Sequence, residues 1–73
     1  MAFLPIVAPK KLTRIVEHQN FIKVRQSGSH AIFRHFDGRW TSIPIHQKTV
    51  GKGLLRKIIR DIQISPKEFK KLT

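Results

Sequence analysis

The sequence predicts a small α+β fold in the order α-β-β-β-α-α, a three-stranded antiparallel sheet backed by two helices. Three observations predict it. Asp37-Gly38 lies between two short apolar-rich runs, which is the pattern of a hairpin turn. Leu54, Leu55, Ile58, Ile59 and Ile62 recur with the period of an amphipathic helix. Ahead of the strands, Leu12, Ile15 and Val16 form the apolar stripe of a further helix.

The elements follow in order. The apolar run Phe3–Val7 is interrupted by Pro5 and has no basic segment before it, so it is too short for a signal peptide or a membrane span. Residues 9–19 read as a helix. Pro9 suits its first position, Lys10, Lys11 and Arg14 lie off the apolar stripe, and Asn20 tolerates the left-handed conformation that ends it. Phe21–Gln26 is a strand through Ile22 and Val24, broken by Ser27-Gly28-Ser29.

His30–Phe36 is a second strand, Asp37-Gly38 a two-residue turn, and Arg39–Ile45 a third strand. In the third strand Thr41, Ile43 and Ile45 share one face, while Trp40, Ser42, Pro44 and His46 share the other. Pro44 has no N–H, so it belongs at a sheet edge or outside the ladder. The second strand is apolar on both faces, Ile32 and Phe36 against Ala31 and Phe33, and either face can be the buried one.

Gln47–Gly53 reads as a loop and Leu54–Ile62 as the helix that supplies most of the core, with Arg56, Lys57 and Arg60 on its outer side. Ser65-Pro66-Lys67-Glu68 is a capping box that opens a short last helix through Phe69 and Leu72. Repeats, low-complexity tracts and linkers are missing, so residues 1–73 read as one domain.

Fifteen Lys and Arg against four Asp and Glu leave a net charge of +11. Such a field selects polyanions: nucleic acid first, an acidic protein second, an anionic membrane third. The basic residues are scattered rather than blocked, which points to a folded basic face instead of a disordered tail. Without cysteine, disulfides and thiolate metal sites are excluded, which suits a reducing cytoplasm. The four histidines and the scattered acids show no ligand spacing, so no metal and no cofactor is expected. A chain this short hides only about 60% of its unfolded surface and has reason to lean on a partner.

One place in this pattern can carry chemistry. His30 starts one strand of the hairpin and His46 lies just past the end of the other, so antiparallel pairing brings them to the same end.

The order helix, strand, Gly28-Ser29-His30, strand, Asp37-Gly38-Arg39, strand ending Ile43-Pro44-Ile45-His46, then Gly53-Leu54-Leu55-Arg56-Lys57-Ile58, resembles the HicA toxins. These are small mRNA interferases of bacterial and archaeal toxin–antitoxin pairs. Any tripeptide, Gly-Ser-His included, recurs by chance; its spacing from Pro44-x-His46 and Gly53 carries the resemblance, which runs from Leu4-Pro5 through Ser65. The departures are Ala8, where a Ser or Thr cap is usual, and Asn20, where a Gly usually precedes Phe21.

The resemblance implies a fold like a double-stranded-RNA-binding domain and His30 as the catalytic residue of a cytoplasmic endoribonuclease acting on mRNA. It also implies a HicB-like antitoxin covering His30 and the basic face. RNA can be cut without metal because its own 2′-hydroxyl sits beside the scissile phosphate. An enzyme then supplies a base, cations for the phosphate and an acid for the leaving oxygen. Histidine suits the first task because imidazole titrates near pH 6.5. Gly28 and Ser29 let the backbone approach closely, and their N–H groups can hold a phosphate oxygen.

Each candidate has a plainer reading beside it. His30 can be a strand-end histidine bonded to backbone. His46 can be the complementary acid, a substrate-orienting group or an ordinary loop histidine. His18 and His35 read as surface or sheet residues. Lys48 and Lys52 flank the site through the loop after His46 and are the first candidates for phosphate contacts, followed by Arg25, Arg34 and Arg39 from the sheet. Contacts of that kind carry little sequence information. Trp40 either stacks a base on the open sheet face or covers the core edge. Arg56, Lys57 and Arg60 form a solvated face or a landing surface for an acidic partner. The rival to the ribonuclease is a non-catalytic RNA-binding module, and after it a basic structural or ribosome-associated protein.

Overall fold

A computed structural model of the chain describes residue 4 and residues 6–73. Phe3 and Pro5 of the N-terminal apolar run lie outside the described residues. The elements are α1 (Pro9–His18), β1 (Phe21–Ser27), β2 (His30–His35), β3 (Trp40–Pro44), α2 (Lys52–Ile62) and α3 (Pro66–Leu72), in the expected order. The strands form one antiparallel sheet in the order β1-β2-β3, so β1 and β3 are its edges. Helices α1 and α2 pack on the sheet and α3 packs on α2.

Local chemistry explains the helix ends. Ala8 is extended and makes no side-chain cap, but Pro9 has no N–H to satisfy, and α1 starts there. Asn20 takes φ +70 directly after α1, the conformation otherwise left to glycine. At the end of α2, Gln63 adopts the left-handed conformation. Its N–H donates to the Arg60 carbonyl (3.1 Å) and the Ile64 N–H to the Ile59 carbonyl (3.4 Å), the paired bonds of a Schellman end. The Ser65 hydroxyl accepts the Glu68 N–H at 3.0 Å, so the forward half of the capping box is made.

Alpha-2 is longer than the periodicity indicated. Lys52 and Gly53, read as loop, form its first turn, and Gly51 is the extended residue before it. Apolar periodicity cannot mark a first turn that carries no core residue. Leu55, Ile58, Ile59 and Ile62 are all buried, each stabilising the fold by roughly 1.5–3 kcal/mol.

The hairpin turn also differs from expectation. Strand β2 stops at His35 and β3 starts at Trp40, so Phe36 and Arg39 belong to the connection. The Gly38 N–H donates to the His35 carbonyl (2.9 Å) and the His35 N–H to the Arg39 carbonyl (2.8 Å). Gly38 is at φ +101 while Asp37 keeps a negative φ, so this is a turn followed by a glycine bulge. A two-residue Asp-Gly turn requires positive φ at both positions, and the extra residue removes that requirement.

The buried face of β2 is Ala31, Phe33 and His35. With Thr41 and Ile43 of β3, Phe21 of β1 and the apolar sides of α1 and α2 they build the core. His35, read as a surface or sheet residue, is buried against Phe21, edge to face with ring centroids 5.2 Å apart. The hydroxyl of buried Thr41 donates to Asp61 Oδ2 at 3.0 Å. Phe21 is the one buried residue of β1. A bulge between Lys23 and Arg25 aligns Lys23 and Gln26 on one side, where Lys23 Nζ donates to Gln26 Oε1 at 2.8 Å.

Candidate active site

Gly28 and Ser29 are the two residues of the β1–β2 turn, since Ser27 pairs directly with His30. Gly28 has φ +58 and Ser29 does not share the positive sign, the pattern of a type II′ turn with glycine at its first central position. Within Gly-Ser-His, therefore, the glycine is required by the turn, and the turn makes His30 the first residue of β2. Because Ala31 faces the core, alternation puts His30 on the open face of the sheet, where it is exposed.

His30 stands opposite Pro44 in β3. The Ile45 N–H donates to the Ser29 carbonyl at 2.8 Å, carrying the pairing one position further. The chain thus runs past the Gly28-Ser29 turn as it reaches His46, which is exposed. Pro44 is the last residue of an edge strand, where a missing N–H is tolerated.

Helix α2 brings charge to the same end. Its C-terminal end is tied to the start of β3, through the Thr41–Asp61 bond and through Arg39 Nη1 donating to the Ile62 carbonyl. It therefore runs antiparallel to β3, and its N-terminal end lies toward Pro44 and His30. That end has Lys52 as its first residue, no acidic residue in its first turn and no side-chain cap from Gly51. The helix dipole adds positive potential there. Lys48 is exposed in the connecting loop.

One end of the hairpin thus gathers the Gly28-Ser29 turn, His30 and His46, with Lys48 in the loop that follows and Lys52 opening α2 on the covered side of the sheet. Among the described residues no side-chain hydrogen bond or ion pair holds the His30 ring. Arg25 and Arg34 are exposed on the open face, Arg25 opposite Ile32 and Arg34 between Ile22 and Trp40.

Arg39 is elsewhere. It lies in the β2–β3 connection, at the other end of the hairpin, with its guanidinium engaged by Asp37 and the Ile62 carbonyl. Asp37 Oδ1 accepts the Arg39 backbone N–H at 3.0 Å. Hydrogen bonds from the Arg39 backbone and side chain, with the charge of Arg39, hold the Asp37 carboxyl below its ordinary value. The Asp37 N–H in turn donates to His35 Nδ1 at 3.1 Å. Residue-by-residue reading of charge missed this cluster; the Asp-x-Arg spacing across a turn was its signal.

A second basic surface lies on the helical side. Lys10, Lys11, Arg14 and His18 of α1, with Leu72 of α3, border a groove of about 570 Å³. Among the described residues no three His, Asp or Glu side chains are grouped so that they could hold a metal ion. No described helix is long and apolar enough to cross a membrane.

Comparison with known proteins adds the family. A search of curated proteins gave no match. Residues 9–64 match the family model described as the HicA toxin of bacterial toxin–antitoxin systems. The matched stretch begins with the first residue of α1 and ends just after α2, so it contains the whole sheet, the Gly28-Ser29 turn and His30. With most of its length matched, including every element that builds the hairpin end, this chain belongs to the HicA toxin family.

Proposed function

We propose that this toxin is an mRNA interferase, a metal-independent endoribonuclease with His30 as its general base. The observation that carries the proposal is an exposed, unheld imidazole on the first residue of β2, directly after the Gly28-Ser29 turn amides. His30 takes the proton of an RNA 2′-hydroxyl. The freed oxygen attacks the adjacent phosphorus and the bond to the 5′-oxygen breaks, leaving a 2′,3′-cyclic phosphate and a 5′-hydroxyl. His46 supplies the proton for the leaving oxygen or orients the substrate. The Gly28 and Ser29 N–H groups hold a phosphate oxygen. Lys48, Lys52, Arg25 and Arg34 bind neighbouring phosphates, which favours low sequence preference.

A HicB-like antitoxin is the proposed protein partner, covering His30 and its cations, and the cytoplasm, where mRNA is met, the proposed compartment. The net charge of +11 suits both an RNA substrate and an acidic inhibitor.

The test compares wild type with His30→Ala on labelled single-stranded RNA in excess chelator. A general base contributes about 10²–10⁴-fold, so folded His30→Ala should bind RNA and lose cleavage by that factor. Equal cutting by both proteins makes His30 structural. Binding by both with cutting by neither identifies a non-catalytic RNA-binding module.

A further inference from the structure

The open face of the sheet is organised in three cross-strand rows. Ile22, Arg34 and Trp40 form one, Arg25, Ile32 and Ser42 the next, and Ser27, His30 and Pro44 the last, where Ser27 and His30 are exposed and Pro44 is buried. Trp40 is 56% exposed and Ile22 69%. A tryptophan that merely closed the core edge would be covered, and this one is not. All four acidic residues lie off the face: Glu17 in α1, Asp61 in α2, Glu68 in α3 and Asp37 at the hairpin tip. What remains is an aromatic ring next to Arg34, with Arg25 in the row between it and His30.

We propose that this face is a subsite for single-stranded RNA, in which Trp40 stacks an unpaired base while Arg34 and Arg25 track the backbone towards His30. The proposal rests on the ribonuclease reading only for the position of the scissile bond. Four residue steps along β2, from Arg34 to His30, separate the row of Trp40 from that of His30, about 13 Å at 3.3 Å per step, which a short run of extended nucleotides spans. A base stacks on a side chain only when it is unpaired, so the subsite selects single strands over duplex. Two cations beside an exposed aromatic, and no acid among them, match a phosphate backbone carrying bases better than they match a protein surface.

The chain has one Trp and no Tyr, so its tryptophan fluorescence reports on Trp40 alone. The experiment titrates the protein with a 2′-O-methylated oligonucleotide, which cannot be cut. Saturable quenching by the single strand, and much weaker quenching by a duplex of the same sequence, is expected. In cleavage assays Trp40→Ala should raise KM about tenfold, the loss of one stacked base, with the effect in KM rather than kcat. Trp40→Phe, which keeps a stacking ring, should restore KM.

Cleavage by wild type with no quenching and no change of KM in Trp40→Ala overturns the subsite, leaves the ribonuclease reading standing, and frees the face for a protein partner. Quenching without cleavage keeps the subsite and removes the ribonuclease reading. Neither quenching nor cleavage removes both.

Discussion

Arg39 Nε donates to Asp37 Oδ2 over 2.8 Å, at the end of the β2–β3 hairpin farthest from His30. The same guanidinium bonds the Ile62 carbonyl and lies over the Phe21 ring, 5.3 Å from its centroid. One side chain therefore ties the hairpin tip to the C-terminal end of α2, where a cation is favoured by the helix dipole, and covers the start of β1.

The first prediction follows from that clasp. Arg39→Ala should lower stability by roughly 1.5–3 kcal/mol, the range for hydrogen bonds to a charged group. RNA affinity should hold, since the phosphate contacts are proposed at the other end and on the open face. Urea unfolding and a gel shift measure the two effects. An unchanged unfolding midpoint with weakened RNA binding would make Arg39 an RNA contact instead.

Asp37 gives the clasp a pH dependence. Its carboxyl is held below the ordinary value of 3.8, first by the hydrogen bond from the Arg39 backbone N–H. A carboxylate whose folded pKa is depressed contributes stability that is fully present above its unfolded pKa and is lost as pH falls through the folded one. Asp37→Asn should therefore lower the melting temperature at neutral pH, and the gap to wild type should close below about pH 4. A gap that stays constant down to pH 2 would show that the charge on Asp37 adds nothing.

Gly28→Ala tests the turn that sets His30. Beyond Gly28 and its two chain neighbours no atom lies within 4 Å of the Cβ it would add, so the change is opposed by backbone conformation alone, at φ +58. The strain should cost about 1–2 kcal/mol. Cleavage should fall with stability, because the turn decides where β2 begins. Full activity with an unaltered melting temperature would detach the glycine from the geometry of the site.

Phosphate contacts show themselves through salt. Lys48→Ala should reduce the slope of log K against log salt by about 0.7 on single-stranded RNA and weaken unrelated sequences equally. Lys71→Ala, an equal loss of charge on exposed α3, is the control and should leave the slope in place. Equal slopes for both variants would mean that only net charge matters.

The identities and order of the elements are legible in the residues. The stripes of α1 and α2, the proline and asparagine that bound α1, and the Ser65 cap act within a few residues of themselves, so local sequence contains their causes. The hairpin end was legible as well. Antiparallel pairing sends the two histidines to one end whatever packs on the sheet, and His30 does pair opposite Pro44, two residues before His46.

The sequence by itself thus determined the helices, the strands, the family resemblance and the placing of His30 and His46 at one end of the hairpin. Tertiary structure alone decided the rest. Strand β2 is apolar on both faces, so period-two alternation has two equivalent solutions, and only the packing of α1 and α2 selects Ala31, Phe33 and His35 as the inside. That choice puts Arg34 and Trp40 in one open row with Ile22 and leaves them exposed. Arg39 reads as one more surface cation because its partner, the Ile62 carbonyl, is separated from it by 23 residues. Its role exists only once the helix has folded back along β3, for a hydrogen bond depends on distance in space and not along the chain.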